Sequence, residues 1–268
     1  MLTSIILFLI LGSFVGLLSG LLGLGGGLVI VPMITYTFAL RGITGEYLHH
    51  MALGTSLATI VFTSISSCLA HSRNNGVIWG IVRSITPGVI IGAFLGGMVA
   101  AHLSATLLKI FFILFLYYIG LQMLLNIKPK ASREIPGFLG NTAAGGVIGA
   151  VSSTVGIAGG ALFVSYMAWC NVPMHKAIGT AAAITFPVAL AGAAAYLISG
   201  LDIEGLPGPH LGFIYVPALL GIAMASVCTA PLGAKLSHTL PVPKLKKIFA
   251  CLMFAVATQM FYGISAAA

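Results

Sequence analysis

Gly20-Leu-Leu-Gly-Leu-Gly-Gly-Gly27 returns in the second half of the chain as Ser153-Thr-Val-Gly-Ile-Ala-Gly-Gly160, and both copies sit in long apolar surroundings. A glycine run weakens a helix, because each glycine costs about 1 kcal/mol against alanine. Backbone groups freed at membrane depth must be satisfied by protein or by a water-lined cavity. A duplicated break of this kind points to a transport site.

Composition sets the class. The chain is 59% hydrophobic and 6% charged, with a mean hydropathy of +1.12, whereas soluble domains carry about 25% charged residues. It reads as an all-α polytopic membrane protein, because apolar stretches long enough to cross a bilayer recur through all 268 residues. The first stretch, Leu2 to Leu22, lacks the basic start and small-residue cleavage site of a signal peptide, and reads as the first membrane helix. Cys68, Cys170, Cys228 and Cys251 stand singly and read as small hydrophobes. The net charge of +8 does not indicate nucleic acid, since the basic residues fall in short loops and act as topology signals. No metal or cofactor is expected: Gly23 to Gly27 has neither the GxGxxG spacing nor the lysine of a phosphate-binding loop.

Hydropathy and breakers divide each half into a long helix, a glycine break, a short helix and three long helices. The first half reads as Leu2 to Leu22, Leu28 to Leu40, Tyr47 to Ala70, Trp79 to Ala101 and Ala105 to Ile127. The second reads as Phe138 to Val155, Ala161 to Cys170, Ala177 to Ser199, Leu211 to Leu236 and Leu245 to Ile264. Residues 1–127 and 138–268 are thus two membrane repeats of one domain, joined by a linker over 128–137 containing Lys128, Lys130 and Arg133. Three blocks align in order. Gly16, Ser19, Gly23, Gly26 and Gly27 match Gly149, Ser152, Gly156, Gly159 and Gly160; His50 to Thr55 match His175 to Thr180; Leu107 to Phe111 match Leu245 to Phe249.

Charge sorts the topology. If each first helix, break and short helix return to the starting side, Arg73, Arg83, Lys128, Lys130, Arg133, Lys176, Lys235, Lys244, Lys246 and Lys247 share one side, and only Arg41 and Lys109 lie on the other. Four crossings per half would give five against seven. The ten-to-two division predicts inverted-topology repeats, both termini outside and the linker in the cytoplasm.

A short helix starting after each break, at Leu28 or Ala161, points its free amides and positive dipole end at the break, which suits an anion. The candidate substrate-binding residues are Gly23, Gly25, Gly26, Gly27, Thr55 and Ser56 of the first half and Thr154, Gly156, Gly159, Gly160 and Thr180 of the second. His50 and His175 are candidates for gating or proton relay, with a helix-end histidine at the interface as the plainer reading. Gly16 with Gly20, and Gly92 with Gly96, fit helix packing. Glu46, Glu134, Asp202 and Glu204 all fall in predicted loops, leaving no intramembrane carboxylate for a cation.

These residues resemble the TauE/SafE family of sulfite exporters: GLLGLGGGLVIVP at Gly20 to Pro32, LGTS at Leu53 to Ser56, VGIAGG at Val155 to Gly160 and IGTA at Ile178 to Ala181. The resemblance covers nearly the whole chain. The second half departs from it where Ser165 replaces the proline at Pro32 and Ala158 stands for Gly25. What it implies is transport, usually outward, of sulfite or a small organosulfur anion across the bacterial inner membrane. The expected function is a secondary carrier of that anion, working by alternating access of two inverted repeats, with the small anion and the lipid bilayer as its partners. A passive anion channel is the alternative. A membrane-embedded enzyme is disfavoured, because no HExxH occurs and pairs such as Ser66 or Ser67 with His71 lack an orienting carboxylate.

Overall fold

The computed structural model describes residues 2–22, 26–125, 134–236 and 242–265. Ten helices account for nearly all of them: α1 Leu2–Leu22, α2 Gly27–Leu40, α3 Leu48–Arg73, α4 Trp79–Ala101, α5 Ala105–Leu124, α6 Phe138–Thr154, α7 Gly160–Trp169, α8 Met174–Ser199, α9 Val216–Leu236 and α10 Val242–Ser265. Among the described residues five, α3, α4, α5, α8 and α9, are long and apolar enough to cross a bilayer. The chain is an all-α polytopic membrane protein. Most of the basic linker lies outside the described residues.

Three helix starts differ from the sequence reading in an instructive way. The short helices begin one residue early, at Gly27 and Gly160. The helix expected from Leu211 begins instead at Val216, preceded by a two-stranded antiparallel hairpin of β1 His210–Leu211 and β2 Ile214–Tyr215. Hydropathy missed this hairpin because its residues Phe213, Ile214 and Tyr215 are buried like those of a helix. The turn at Gly212 has φ +53°, and a Cβ there would strike the Leu197 carbonyl oxygen, so only glycine fits under the end of α8.

Close contacts give the direction of each helix pair. Gly12, Gly16 and Gly20 of α1 lie in turn against Ala225, Thr229 and Gly233 of α9, so the two run parallel. In the same way Gly88, Gly92 and Gly96 of α4 meet Thr142, Gly146 and Ala150 of α6. The small residues let backbones touch, and close van der Waals contact of this kind drives helix association where lipid removes the hydrophobic force. Each half therefore sends its first helix to pack on the fourth helix of the other.

The middle of the molecule pairs α3 with α8. Gly54 lies against Tyr196, Gly192 against Leu57, and Gly179 against Gly76 just past the end of α3, so these helices are antiparallel. Helices α5 and α10 are antiparallel too, since Tyr117 shares a 2.9 Å hydroxyl bond with Thr258 while Gly120 faces Met253 and Phe254. Alongside them α3 runs parallel to α9, with Thr63 and Ser226 hydroxyls 2.7 Å apart, and α8 runs parallel to α4, with Ser199 donating to Met98 Sδ at 3.3 Å.

Because α1, α9 and α3 all point one way, α2 must carry the chain back to the end at which α1 began. Because α6, α4 and α8 all point the other way, α7 does the same for α6. The 10 residues of α7 reach about 15 Å at 1.5 Å each, half of a hydrocarbon core of about 30 Å. The break before α7 therefore lies deep in the bundle.

Candidate functional site

The second break is built from two glycine-dependent turns. Helix α6 ends in a Schellman motif: Gly156, at φ +70°, donates its amide to the Ser153 carbonyl at 3.0 Å, and the Ile157 amide donates to the Ser152 carbonyl at 2.9 Å. Ile157 and Ala158 then cross to Gly159, at φ +69°, which caps α7 without any side-chain bond. In the first half Gly26, at φ +79°, caps α2 in the same left-handed conformation, again with no side chain. A short helix capped by bare glycine leaves its first amides and positive end facing the break.

The two breaks touch. A Cβ placed on Gly27 would lie 2.9 Å from the Gly156 carbonyl oxygen and 3.1 Å from Ile157 Cα. The N-terminus of α2 and the turn leading to α7 therefore meet at one point, and every residue from Val155 to Gly160 is buried there. Ser56 holds the junction to α3, donating its hydroxyl to the Gly156 carbonyl at 2.9 Å, while Leu53 packs under Gly156. Of the sequence candidates, Gly26, Gly27, Ser56, Gly156, Gly159 and Gly160 belong to this region. Gly23 and Gly25 lie outside the described residues.

The three threonines have other work. Thr55 donates to the Met51 carbonyl at 2.6 Å and accepts from the Tyr215 amide at 2.8 Å, immediately before α9. Its counterpart Thr180 accepts from the Ile78 amide at 2.9 Å, immediately before α4. The adjacent glycines fit the same pattern: a Cβ on Gly54 would crowd the Phe213 carbonyl and one on Gly179 the Gly76 carbonyl. Each Gly-Thr pair is thus a clasp that draws a loop against a helix and satisfies an orphan amide at the start of the next helix. Thr154 turns toward α4 and donates to the Gly96 carbonyl at 3.2 Å and the Ala150 carbonyl at 3.0 Å.

The histidine pair is unequal. His50 is buried, its Nε2 donating to the Leu103 carbonyl at 2.9 Å, whereas His175 is exposed in the first turn of α8. Burial and a fixed hydrogen bond thus set His50 apart from His175.

Sequence reading passed over another matched pair. His71 Nε2 donates to the Gly20 carbonyl at 3.0 Å, in the last turn of α1. Tyr196 donates to the Thr154 carbonyl at 3.5 Å, at the end of α6. The step of 125 residues that separates Thr55 from Thr180 also separates His71 from Tyr196, which was the available signal. The residue types differ, so the alignment of identities did not show it.

No carboxylate stands in the helices around the breaks, for all four acids lie between helices. The start of α2 and the turn leading into α7 thus meet with no carboxylate on the helices beside them, and a helix N-terminus favours negative charge. A cavity of about 600 Å³ lies at the end where α3 starts, with Tyr47, His50 and Phe213 among its lining. His50 is one helical turn from Leu53, the residue beneath Gly156.

Known proteins agree with this reading of a transporter. The sequence profile of the family described as Sulfite exporter TauE/SafE matches residues 8–260. A probable membrane transporter protein of Haemophilus influenzae is 35% identical over 262 residues, covering 97% of this chain and 99% of its own. Probable membrane transporter proteins of Bacillus subtilis (YunE) and Methanocaldococcus jannaschii are 26% and 27% identical, covering 97% and 87% of this chain and 98% and 86% of their own. No solved structure matches. With the profile and a full-length relative both in agreement, the chain belongs to the TauE/SafE sulfite exporter family and is a multi-pass membrane transporter.

Proposed function

We propose that this protein is a secondary carrier of sulfite or a related small organosulfur anion, exporting it across the bacterial inner membrane. One observation carries the proposal: the N-terminus of α2, at Gly27, abuts the Gly156 turn that leads into α7. The anion binds between Gly23, Gly25, Gly26 and Gly27 on one side and Gly156, Gly159 and Gly160 on the other, against Ser56. Thr55, Thr180 and Thr154 serve the site by fixing the helices that carry it.

The two halves act as inverted repeats. Equivalent helices α3 and α8 are antiparallel, as are α5 and α10, so the axis relating the halves lies across the helices and in the membrane plane. Ten basic residues then share the side of the linker, and both termini lie outside the cytoplasm. The breaks are buried, so a substrate reaches them only when one half rocks against the other.

Ligand stabilisation tests the substrate class, because it grows with concentration over dissociation constant. Purified protein is heated with sulfite, sulfate, thiosulfate, sulfoacetate, taurine or simple carboxylates at matched ionic strength. Sulfite or sulfoacetate is expected to raise the melting temperature most, and saturably. Equal small rises for every anion, chloride included, would contradict the assignment.

A further inference from the structure

Two of the four acidic residues in this strongly basic chain, Glu46 and Asp202, line a single cavity of about 600 Å³, although 156 positions separate them. No lysine or arginine is among its lining residues. The cavity opens where α3 and α5 begin and α4 and α8 end. On an anion's path such a rim is repulsive unless something positive occupies it.

The groups below the rim have matching polarity. His50 is 1% exposed. Its Nε2 faces the Leu103 carbonyl at 2.9 Å, and a carbonyl only accepts, so the neutral ring carries its hydrogen there. Nδ1 is left as an acceptor, buried and with no hydrogen-bond partner. His102 is fixed in the opposite tautomer with the same result: Nδ1 donates to the Met98 carbonyl at 2.8 Å, which leaves Nε2 to accept. The cavity thus carries two carboxylates and the His102 Nε2 acceptor, with the unpartnered His50 Nδ1 buried in its wall, and asks for a donor.

The walls choose among donors. Tyr47 stacks on Phe213 at 5.6 Å between ring centroids, and His50 lies 5.3 Å from Phe213 and 5.5 Å from Tyr47. Ring faces beside carboxylates attract organic cations. No cluster of three or more His, Cys, Asp or Glu among the described residues is placed to hold a metal ion. We infer that this cavity is a binding site for an ammonium group, held by Glu46 and Asp202 at the rim beside the half-buried Tyr47 ring, with the unpartnered His50 Nδ1 as the buried acceptor beneath them. The site does not depend on the anion assignment, but it removes the electrostatic objection to it: with an ammonium in place, the mouth no longer repels an anion.

The test uses the full chain in detergent and three ligands of one carbon skeleton: propylammonium, propanesulfonate and 3-aminopropanesulfonate, with sodium chloride and propanol as controls. Propylammonium is expected to give a saturable rise in melting temperature beyond both controls. Glu46→Gln and Asp202→Asn, which change exposed loop residues, should each weaken it several-fold, and the double variant at least tenfold. No rise beyond the controls, or one unchanged in the double variant, would overturn the site. Tighter binding of 3-aminopropanesulfonate than of propylammonium, lost in the double variant, supports the site and places both charges on one molecule. Equal binding of the two supports it as a site for a free ammonium. Propylammonium binding without any response to propanesulfonate leaves the site standing and counts instead against the organosulfur reading.

Discussion

Gly92→Val is expected to prevent the protein from assembling. A Cβ at Gly92 would fall on the Gly146 carbonyl oxygen and within 2.8 Å of Gly146 Cα, so the obstacle is backbone. Side chains can change rotamer, but two helix backbones can only separate. Separation would also undo the neighbouring contacts of Gly88 with Thr142 and Gly96 with Ala150, because all three lie on one stripe. Overpacking a core commonly costs about 1–3 kcal/mol, and a rigid obstacle along a whole helix pair belongs above that range. The variant should be lost from the monodisperse peak in detergent gel filtration. Gly80→Ala, on the same helix with nothing within 4 Å of its Cβ, should elute and melt like the parent protein.

The second large effect is expected at the breaks. Gly26→Ala and Gly159→Ala each place a side chain at φ +79° or +69°, which L-residues adopt at a cost of about 1–2 kcal/mol. The new Cβ would also press on Val15 Cγ1 in the first case and Ser152 Oγ in the second. These are side-chain atoms, so the protein should still fold, with a lowered melting temperature. What cannot survive is the aim of the first amides of α2 or α7, and sulfite flux in proteoliposomes should fall at least tenfold. Gly42→Ala separates strain from function: it has φ +63° and open space around it, so it bears the same backbone cost but should keep full flux. Full flux in the Gly26 and Gly159 variants would remove the breaks from the site.

What the sequence disclosed follows from the range of the interactions involved. Helix ends were legible where local chemistry sets them. Trp79 and Ala101 bound α4 as read, and the glycine breaks fall where the runs of glycine demanded them. The stripe at Gly92 and Gly96 was readable as packing because its four-residue spacing is a helix-face signal. The role of Thr55 was not readable, since its partner amide on Tyr215 lies 160 residues away in a hairpin that hydropathy merged into α9. His50 and His175 looked equivalent in sequence and differ in burial, because burial depends on the loops that cover each one. The meeting of Gly27 with Gly156 is likewise a product of the tertiary fold. Two copies of a motif announce a symmetric site but do not say that they touch.

In the proposed mechanism both breaks form one site, served in turn from either side of the membrane. Counterflow in proteoliposomes measures this directly. Vesicles holding the protein are loaded with excess unlabelled sulfite and diluted into a trace of labelled sulfite. One site exposed alternately predicts a transient accumulation of label above its equilibrium level, saturating as external sulfite rises. Entry of label that is linear in concentration and indifferent to the internal sulfite would contradict alternating access and mark a passive pore.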